Sequence, residues 1–138
     1  MNKFPCIATD IIIEYQDGIV LIERKYPPFG LAIPGGHAEY GLTLEENAIK
    51  ESLEETGLEV RIKNPEHPLC VFSSPIRDPR CHMISVTYIA TGYGTLKAGD
   101  DAKEARVYSL HELKSIKNSL VFDHKRIIEE YLKYKEAQ

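Results

Sequence analysis

Two apolar runs open the chain. Residues 7–13 read IATDIII and residues 19–24 read IVLIER. Both are rich in β-branched side chains, and the Asp17-Gly18 pair between them is a hairpin signal. Breakers follow at Tyr26-Pro27-Pro28-Phe29-Gly30 and again at Pro34-Gly35-Gly36. The period then changes. Residues 43–56 predict a helix, opened by the capping box of Thr43 and Glu46 and closed by Gly57 at the position of a left-handed C-terminal glycine. Strands are predicted at 58–63 and 69–73, a long one at 82–93 and a short one over 104–110. Ser109 and Glu112 form a second capping box that opens a short helix. Val121, Ile127, Ile128, Tyr131 and Leu132 recur near helical spacing and predict an amphipathic helix over 120–136. Strands mixed with two substantial helices predict an α/β layer fold, a sheet covered by helices.

Composition narrows the function classes. A chain of 138 residues is expected to form one domain, residues 1–138, with no internal repeat or linker. At 43% apolar and 28% charged residues it has the make-up of a globular protein large enough to fold without metal or disulfide staples. Seventeen Lys and Arg against twenty-one Asp and Glu leave a net charge of −4, which gives no electrostatic footprint for nucleic-acid backbones. Cys6, Cys70 and Cys81 contain no C-x-x-C pair and are expected to be free thiols in a reducing compartment. The N-terminal apolar run is too short for a signal sequence, and no run approaches the roughly 20 residues of a membrane span. A cytoplasmic location without nucleic-acid or membrane partners is expected.

The predicted helix over 43–56 carries the chemistry. Glu51, Glu54 and Glu55 fall on one face at i, i+3 and i+4, with Ala48, Ile49, Ser52, Leu53 and Thr56 expected on a packing face. A solvated acidic face is the ordinary fate of such a run. Here, however, like charges repel at these spacings, and Glu54 and Glu55 stand beside the helix's negative end. Local choices that oppose helix stability are where function is expected. Crowded carboxylates are relieved by a hard divalent cation, Mg²⁺ or Mn²⁺, which takes a few carboxylates plus waters and substrate phosphates. The pattern points to metal-assisted phosphoryl chemistry.

The segment from Gly36 to Leu58 resembles the Nudix box, G-x5-E-x7-R-E-U-x-E-E-x-G-U with U aliphatic. Gly36, Glu51, Glu54, Glu55, Gly57 and Leu58 match it in register. The likeness extends over most of the chain: hairpin, Gly-Gly turn, box helix, long strand and the Ala-Lys-Glu-Ala-Arg stretch come in the family's order. It implies a Nudix-type α/β/α sandwich with a mixed central sheet. It also implies a metal-dependent pyrophosphohydrolase that cleaves a nucleoside diphosphate linked to another moiety. The implied metal ligands are Gly36 through its carbonyl, Glu51, Glu54 and Glu55, with Glu104 as a further candidate. The implied catalytic carboxylates are Glu51, Glu54 and Glu104, with Glu51 and Glu104 as the alternatives for general base. Asp100 and Asp101, beside Glu104, are expected to be solvated loop residues.

Residues 72–82 resemble the ADP-ribose pyrophosphatase-like branch, which makes ADP-ribose the expected substrate, cleaved to AMP and ribose 5-phosphate. Arg77 and Arg80 are candidates for contacts to a pyrophosphate or a terminal ribose, and Arg24 matches a position that often touches substrate. The partner expected is a small-molecule nucleotide, and members of that branch are often homodimers. Two rival readings stand beside this one: a hydrolase of damaged nucleoside triphosphates, and a catalytically silent nucleotide sensor. His37, His67, His111 and His124 have no metal-ligand spacing. His82 is read as a strand-edge residue.

Three positions depart from the box: Leu42 replaces its first Glu, Lys50 its Arg and Ser52 an aliphatic residue. Lys50 can hold a carboxylate as a point charge without the guanidinium fork. Leu42 removes a carboxylate just before the helix, so weakened metal affinity or altered geometry is expected, without loss of the site. Leu42→Glu is expected to lower the Mg²⁺ concentration needed for half-maximal activity, read from a metal titration of the rate. An unchanged titration would place residue 42 outside the metal's reach.

Overall fold

The computed structural model describes residues 3–99 and 102–138; Asp100 and Asp101 lie outside them. Among the described residues eight strands form one mixed sheet: β1 (Cys6–Tyr15), β2 (Gly18–Arg24), β3 (Leu31–Ala32), β4 (Gly35–His37), β5 (Glu59–Ile62), β6 (Cys70–Phe72), β7 (Met83–Tyr93) and β8 (Ala102–Tyr108). Three helices accompany them: α1 (Leu44–Thr56), α2 (Leu110–Ile116) and α3 (His124–Glu136), with a 3₁₀ turn at Lys117–Ser119. The central path runs β3-β2-β1-β7-β5. The mixed α/β fold expected from the sequence is the one observed.

The centre of the sheet is the parallel pair β1 and β7, in register from Cys6↔Met83 to Glu14↔Thr91. Ile11, Ile12 and Ile13 are all fully buried because both faces of the sheet are covered, as a parallel pair requires. Ile11 and Ile13 pack with Val20, Ala48, Leu58 and Tyr88 on the α1 side. Ile12 packs with Leu21, Ile33, Leu113, Ile127, Ile128 and Tyr131 on the α3 side. β1 pairs with β2 at Glu14↔Ile19 and Tyr15↔Gly18, while its opposite end pairs with β4 from Ala8↔His37 to Asp10↔Gly35. The sheet therefore parts where β2 leaves β1, and a cleft opens beside β4.

Local signals set α1 as expected. Thr43 accepts the Glu46 N–H at 3.0 Å while Glu46 accepts the Thr43 N–H at 2.9 Å, and Gly57 closes the helix at φ 73°. The buried stripe is Asn47, Ala48, Ser52, Glu55 and Thr56. Ile49 and Leu53, expected on the packing face, are instead exposed. The helix is rotated so that its polar small residues meet the sheet: Asn47 donates to Thr9 Oγ1 at 2.9 Å and accepts the Glu39 N–H at 3.1 Å.

Several boundaries differ from those the sequence predicts. The hairpin turn is Gln16-Asp17, with Gln16 at φ 47°, and Gly18 already pairs with Tyr15. Gly18 is small for another reason: a Cβ there would run into the Tyr108 carbonyl of β8. β8 begins at Ala102, two residues before the predicted strand, and α3 begins at His124, after the 3₁₀ turn. Among the described residues no helix is long and apolar enough to cross a membrane. Thr43→Ala is expected to cost about 1 kcal/mol of stability by removing the cap, measured by urea unfolding; an unchanged midpoint would mean that tertiary packing alone holds the start of α1.

Candidate active site

The cleft beside β4 gathers most of the residues that the sequence singles out. Gly36, Glu51, Glu54, Glu55, Arg24 and Arg80 line one open groove of about 420 Å³ together with Tyr26, Pro27 and His37. An adjoining cavity of about 90 Å³ shares Arg24, Gly36, Glu55 and Arg80 and adds Asp10, Arg77, Asp78, Phe122 and His124.

Position in the fold explains each carboxylate. Glu51 leans on the β4 backbone so closely that a Cβ on Gly36 would sit 2.5 Å from its carboxyl carbon. Glu54 is exposed at the rim and is held by Lys50 at 2.6 Å; the same ammonium reaches Glu39 at 3.3 Å. Hydrogen bonds to Glu54 and Glu39 push the Lys50 pKa above its ordinary value. Glu55, only 7% exposed, borders both the groove and the cavity. The carbonyl end of α1 is covered by backbone donors: Lys97 N–H to Thr56 O at 2.8 Å and Gly99 N–H to Glu55 O at 3.0 Å. Those donors offset the negative helix end on which Glu54 and Glu55 stand.

The arginines differ in how they are held. Arg24 donates from Nε to the Pro28 carbonyl at 2.8 Å, and its guanidinium lies 5.2 Å from the Phe122 ring. Arg80 lies 4.9 Å from the same ring and is bound to Asp78 through Nε at 3.0 Å and Nη2 at 2.8 Å. Burial acts to raise the Asp78 pKa, but the bonds from Arg80 outweigh it and hold the carboxyl below its ordinary value. The Arg77 side chain is buried and grips both oxygens of Asp123, at 2.8 and 2.5 Å. It borders the inner cavity and not the open groove.

Glu104 does not join this group. It lies in β8 opposite Glu23, not in a loop, and its register puts it on the same face as Arg106 and Tyr108. Their partners Leu21 and Ile19 pack on the α3 side, so Glu104 faces away from α1 and its three glutamates.

Sequence reasoning passes over Asp10, Phe122, Asp123, His124 and Glu39 as site residues. Asp10 sits inside an apolar strand and accepts a short bond from Ser85 Oγ. His124 is 3% exposed and accepts the Ile33 N–H on Nδ1 at 3.0 Å. Accepting at Nδ1 fixes the neutral tautomer, so the proton rides on Nε2. The contacts of Asp10 with Ser85 and of His124 with Ile33 span 75 and 91 residues of chain, so no local pattern signals Asp10 and His124.

Residues 5–131 match the NUDIX domain. The chain belongs to that family. It is 47% identical over 134 residues to an ADP-ribose pyrophosphatase of Methanocaldococcus jannaschii, covering 95% of this chain and 75% of that protein. A MutT/nudix family protein from Enterococcus faecalis superposes with a TM-score of 0.77 at 29% identity, over 94% of this chain and 61% of that one. A bifunctional NMN adenylyltransferase/ADP ribose pyrophosphatase from Francisella tularensis, complexed with AMP and Mn ion, gives a TM-score of 0.82 at 28% identity. That match covers 96% of this chain and 42% of the other, so the likeness is to part of a longer protein.

Nudix hydrolases work with divalent metals, and the donor set here suits one. Glu51, Glu54 and Glu55 share the groove with the Gly36 backbone and offer only hard oxygens. Among the described residues no three Asp, Glu, His or Cys side chains stand close enough together to hold a metal ion by themselves. An ion held there would draw its remaining ligands from backbone, water and substrate oxygens, as Mg²⁺ sites commonly do.

Burial drives the His124 pKa below its ordinary value, outweighing the nearby Asp10 carboxylate. The folded ring therefore binds fewer protons than the unfolded one, and stability must fall as pH drops below the unfolded pKa of about 6.5. His124→Gln is expected to flatten this part of the pH–stability curve, measured by urea unfolding from about pH 7.5 to about pH 5. An identical slope in the variant would assign the acid sensitivity to other groups.

Proposed function

We propose that the chain is a Mg²⁺-dependent Nudix pyrophosphohydrolase that splits ADP-ribose into AMP and ribose 5-phosphate, with residues 1–138 acting as one catalytic domain. The observation that carries this reading is the meeting of three box glutamates with Arg24 and Arg80 in one groove. Carboxylates alone would repel a diphosphate. Carboxylates that bind divalent cations, faced by two guanidiniums, attract it. The choice of ADP-ribose is supported by the 47% identity to the pyrophosphatase of that name and by the sequence of residues 72–82.

Glu51, Glu54 and Glu55 would hold the metal together with the Gly36 carbonyl. Bound there, a divalent cation supplies Lewis-acid polarisation of phosphoryl oxygens and lowers the pKa of water. Arg24 and Arg80 orient the diphosphate from the opposite wall, each stiffened against the Phe122 ring. Glu51, packed against the Gly36 backbone, is the proton acceptor assigned to the attacking water. Glu104, turned to the other face of the sheet, receives no part in this assignment.

Glu55→Gln preserves volume and removes the charge. It is expected to lower turnover by at least the order of a hundredfold while leaving the thermal midpoint near that of the unaltered protein. Near-normal rates would sink the metal-site assignment. The substrate is read from a panel of ADP-ribose, sugar nucleotides, dinucleotides and dNTPs, with and without Mg²⁺. Mg²⁺-dependent release of AMP and ribose 5-phosphate is expected. Pyrophosphate release from dNTPs with ADP-ribose left intact would replace the substrate, and ADP-ribose binding without cleavage of anything would make the protein a sensor.

A further inference from the structure

Beneath α1, one buried amide ties the glutamate helix to the strands below it. Asn47 and Thr9 are both fully buried, and neither borders the groove or the cavity. We propose that Asn47 is a positioning residue of the metal site. Its amide clamps α1 to the residue opposite Gly36 and to the chain just after it, and so sets the box glutamates against the Gly36 carbonyl. The assignment deepens the metal-dependent reading above and rests on it.

Register places the clamp. Thr9 stands opposite Gly36 in the pairing of β1 with β4, and Asn47 Nδ2 donates to Thr9 Oγ1 at 2.9 Å. Three residues past Gly36, the Glu39 N–H donates to Asn47 Oδ1 at 3.1 Å. A backbone N–H can only donate, so it fixes the orientation of the amide and leaves the amino group for Thr9. Along the helix, Asn47, Glu51, Glu54 and Glu55 stand at i, i+4, i+7 and i+8, on one side. The amide therefore holds the same face that carries the three carboxylates. Glu51, one turn on, is the residue that a Cβ at Gly36 would strike.

Apolar burial pulls the other way. Ile49 and Leu53 are 41% and 52% exposed, while Asn47, Ser52 and Thr56 are fully buried. At about 100° per residue, a roll of α1 that buried Ile49 and Leu53 would carry Glu51 away from Gly36. Such a roll would remove apolar area from water, and a bond between helix and sheet opposes it. Ser52 and Thr56 do not supply that bond, because their hydroxyls donate to carbonyls of their own helix. Asn47 reaches out of the helix with both ends of its amide. Asn is among the weaker helix formers, so its place inside α1 serves the contact and not the helix.

The test is Mn²⁺ binding to the full chain, followed by calorimetry without substrate. Thr9→Val keeps the shape and removes the acceptor, Thr9→Ser keeps the hydroxyl, and Asn47→Leu removes both bonds. Thr9→Val and Asn47→Leu, checked for folding by thermal melts, are expected to bind Mn²⁺ roughly tenfold more weakly at unchanged stoichiometry. Thr9→Ser, which keeps the bond, should stay within about twofold of the unaltered protein. Unchanged affinity in folded Thr9→Val and Asn47→Leu overturns the clamp. Lost stoichiometry at unchanged affinity would make the role structural only and also overturns it, as does equal weakening in Thr9→Ser.

A second measurement needs no variant. A clamp that favours metal binding must be favoured by metal in return, so saturating Mg²⁺ is expected to slow exchange of the Glu39 amide hydrogen roughly tenfold, read by NMR. Unchanged exchange overturns the proposal even where the variants fail to fold. No Mn²⁺ binding by the unaltered protein overturns the metal site and the clamp together. Mn²⁺ binding with the expected shifts, but no cleavage of ADP-ribose, sinks the hydrolase reading alone.

Discussion

Two carboxylates close on the backbone of Gly35 and Gly36 from opposite faces of the sheet. A Cβ on Gly36 would meet the Glu51 carboxylate, and one on Gly35 would meet Asp10. Successive residues of a strand face opposite ways, so this one dipeptide separates two environments. On the α1 side lies the open groove of box glutamates; on the α3 side lies the Asp10 wall of the adjoining cavity. The strand keeps its place because β1 parts from β2 and takes β4 in its stead, with Ile11 N–H adding a bond to the Pro34 carbonyl at 2.9 Å. Any side chain at either glycine would push the strand off one carboxylate, and the two compartments would lose their common wall.

The charges around that wall are balanced in different ways on its two sides. In the groove, Glu51 and Glu55 are brought together by their helix, and Lys50 holds Glu54. The helix end that should repel them is covered by backbone N–H groups from residues 97 and 99. In the cavity the pairing is close and local: Arg77 with Asp123, Arg80 with Asp78, Asp10 with Ser85. A surplus of negative charge suits the binding of cations. Removing one member of a buried charge pair leaves the other uncompensated, as it would for Arg77 and Asp123. Phe122 lies between the two environments, with one guanidinium of the groove at 5.2 Å and another at 4.9 Å from its ring.

What could be read from the chain follows how local each determinant is. The helix Leu44–Thr56 was legible to the residue, because both caps are made within the segment by Thr43, Glu46 and Gly57. The glutamate spacing was legible for the same reason. The orientation of that helix was not: Ile49 and Leu53 offer a plausible apolar face, and it took the partnership of Asn47 with Thr9, 38 residues away, to turn the small residues inward. The sequence predicts a strand that starts only at Glu104, whereas pairing with β2 starts it at Ala102 and fixes which way residue 104 faces. Asp10 was hidden by its apolar neighbours, and its meaning depends on Ser85 and His124, which the fold brings from far along the chain.

The departures from the Nudix box become coherent once Glu39 is included. Lys50 stands where the box has Arg, and its ammonium can divide itself between carboxylates approaching from different directions. One is Glu54, a turn further along the same helix; the other is Glu39, in the loop that leads into it. Glu39 is also the residue whose N–H binds Asn47, so the loop is fastened to α1 by its backbone and its side chain together. Leu42 contributes no charge, and its neighbour Leu44 packs against the α1-side core. A negative group facing the helix lysine is therefore present, three residues earlier than the box would place it. What the exchange changes is its aim: Glu39 faces Lys50, and the carboxylates that line the groove are Glu51, Glu54 and Glu55.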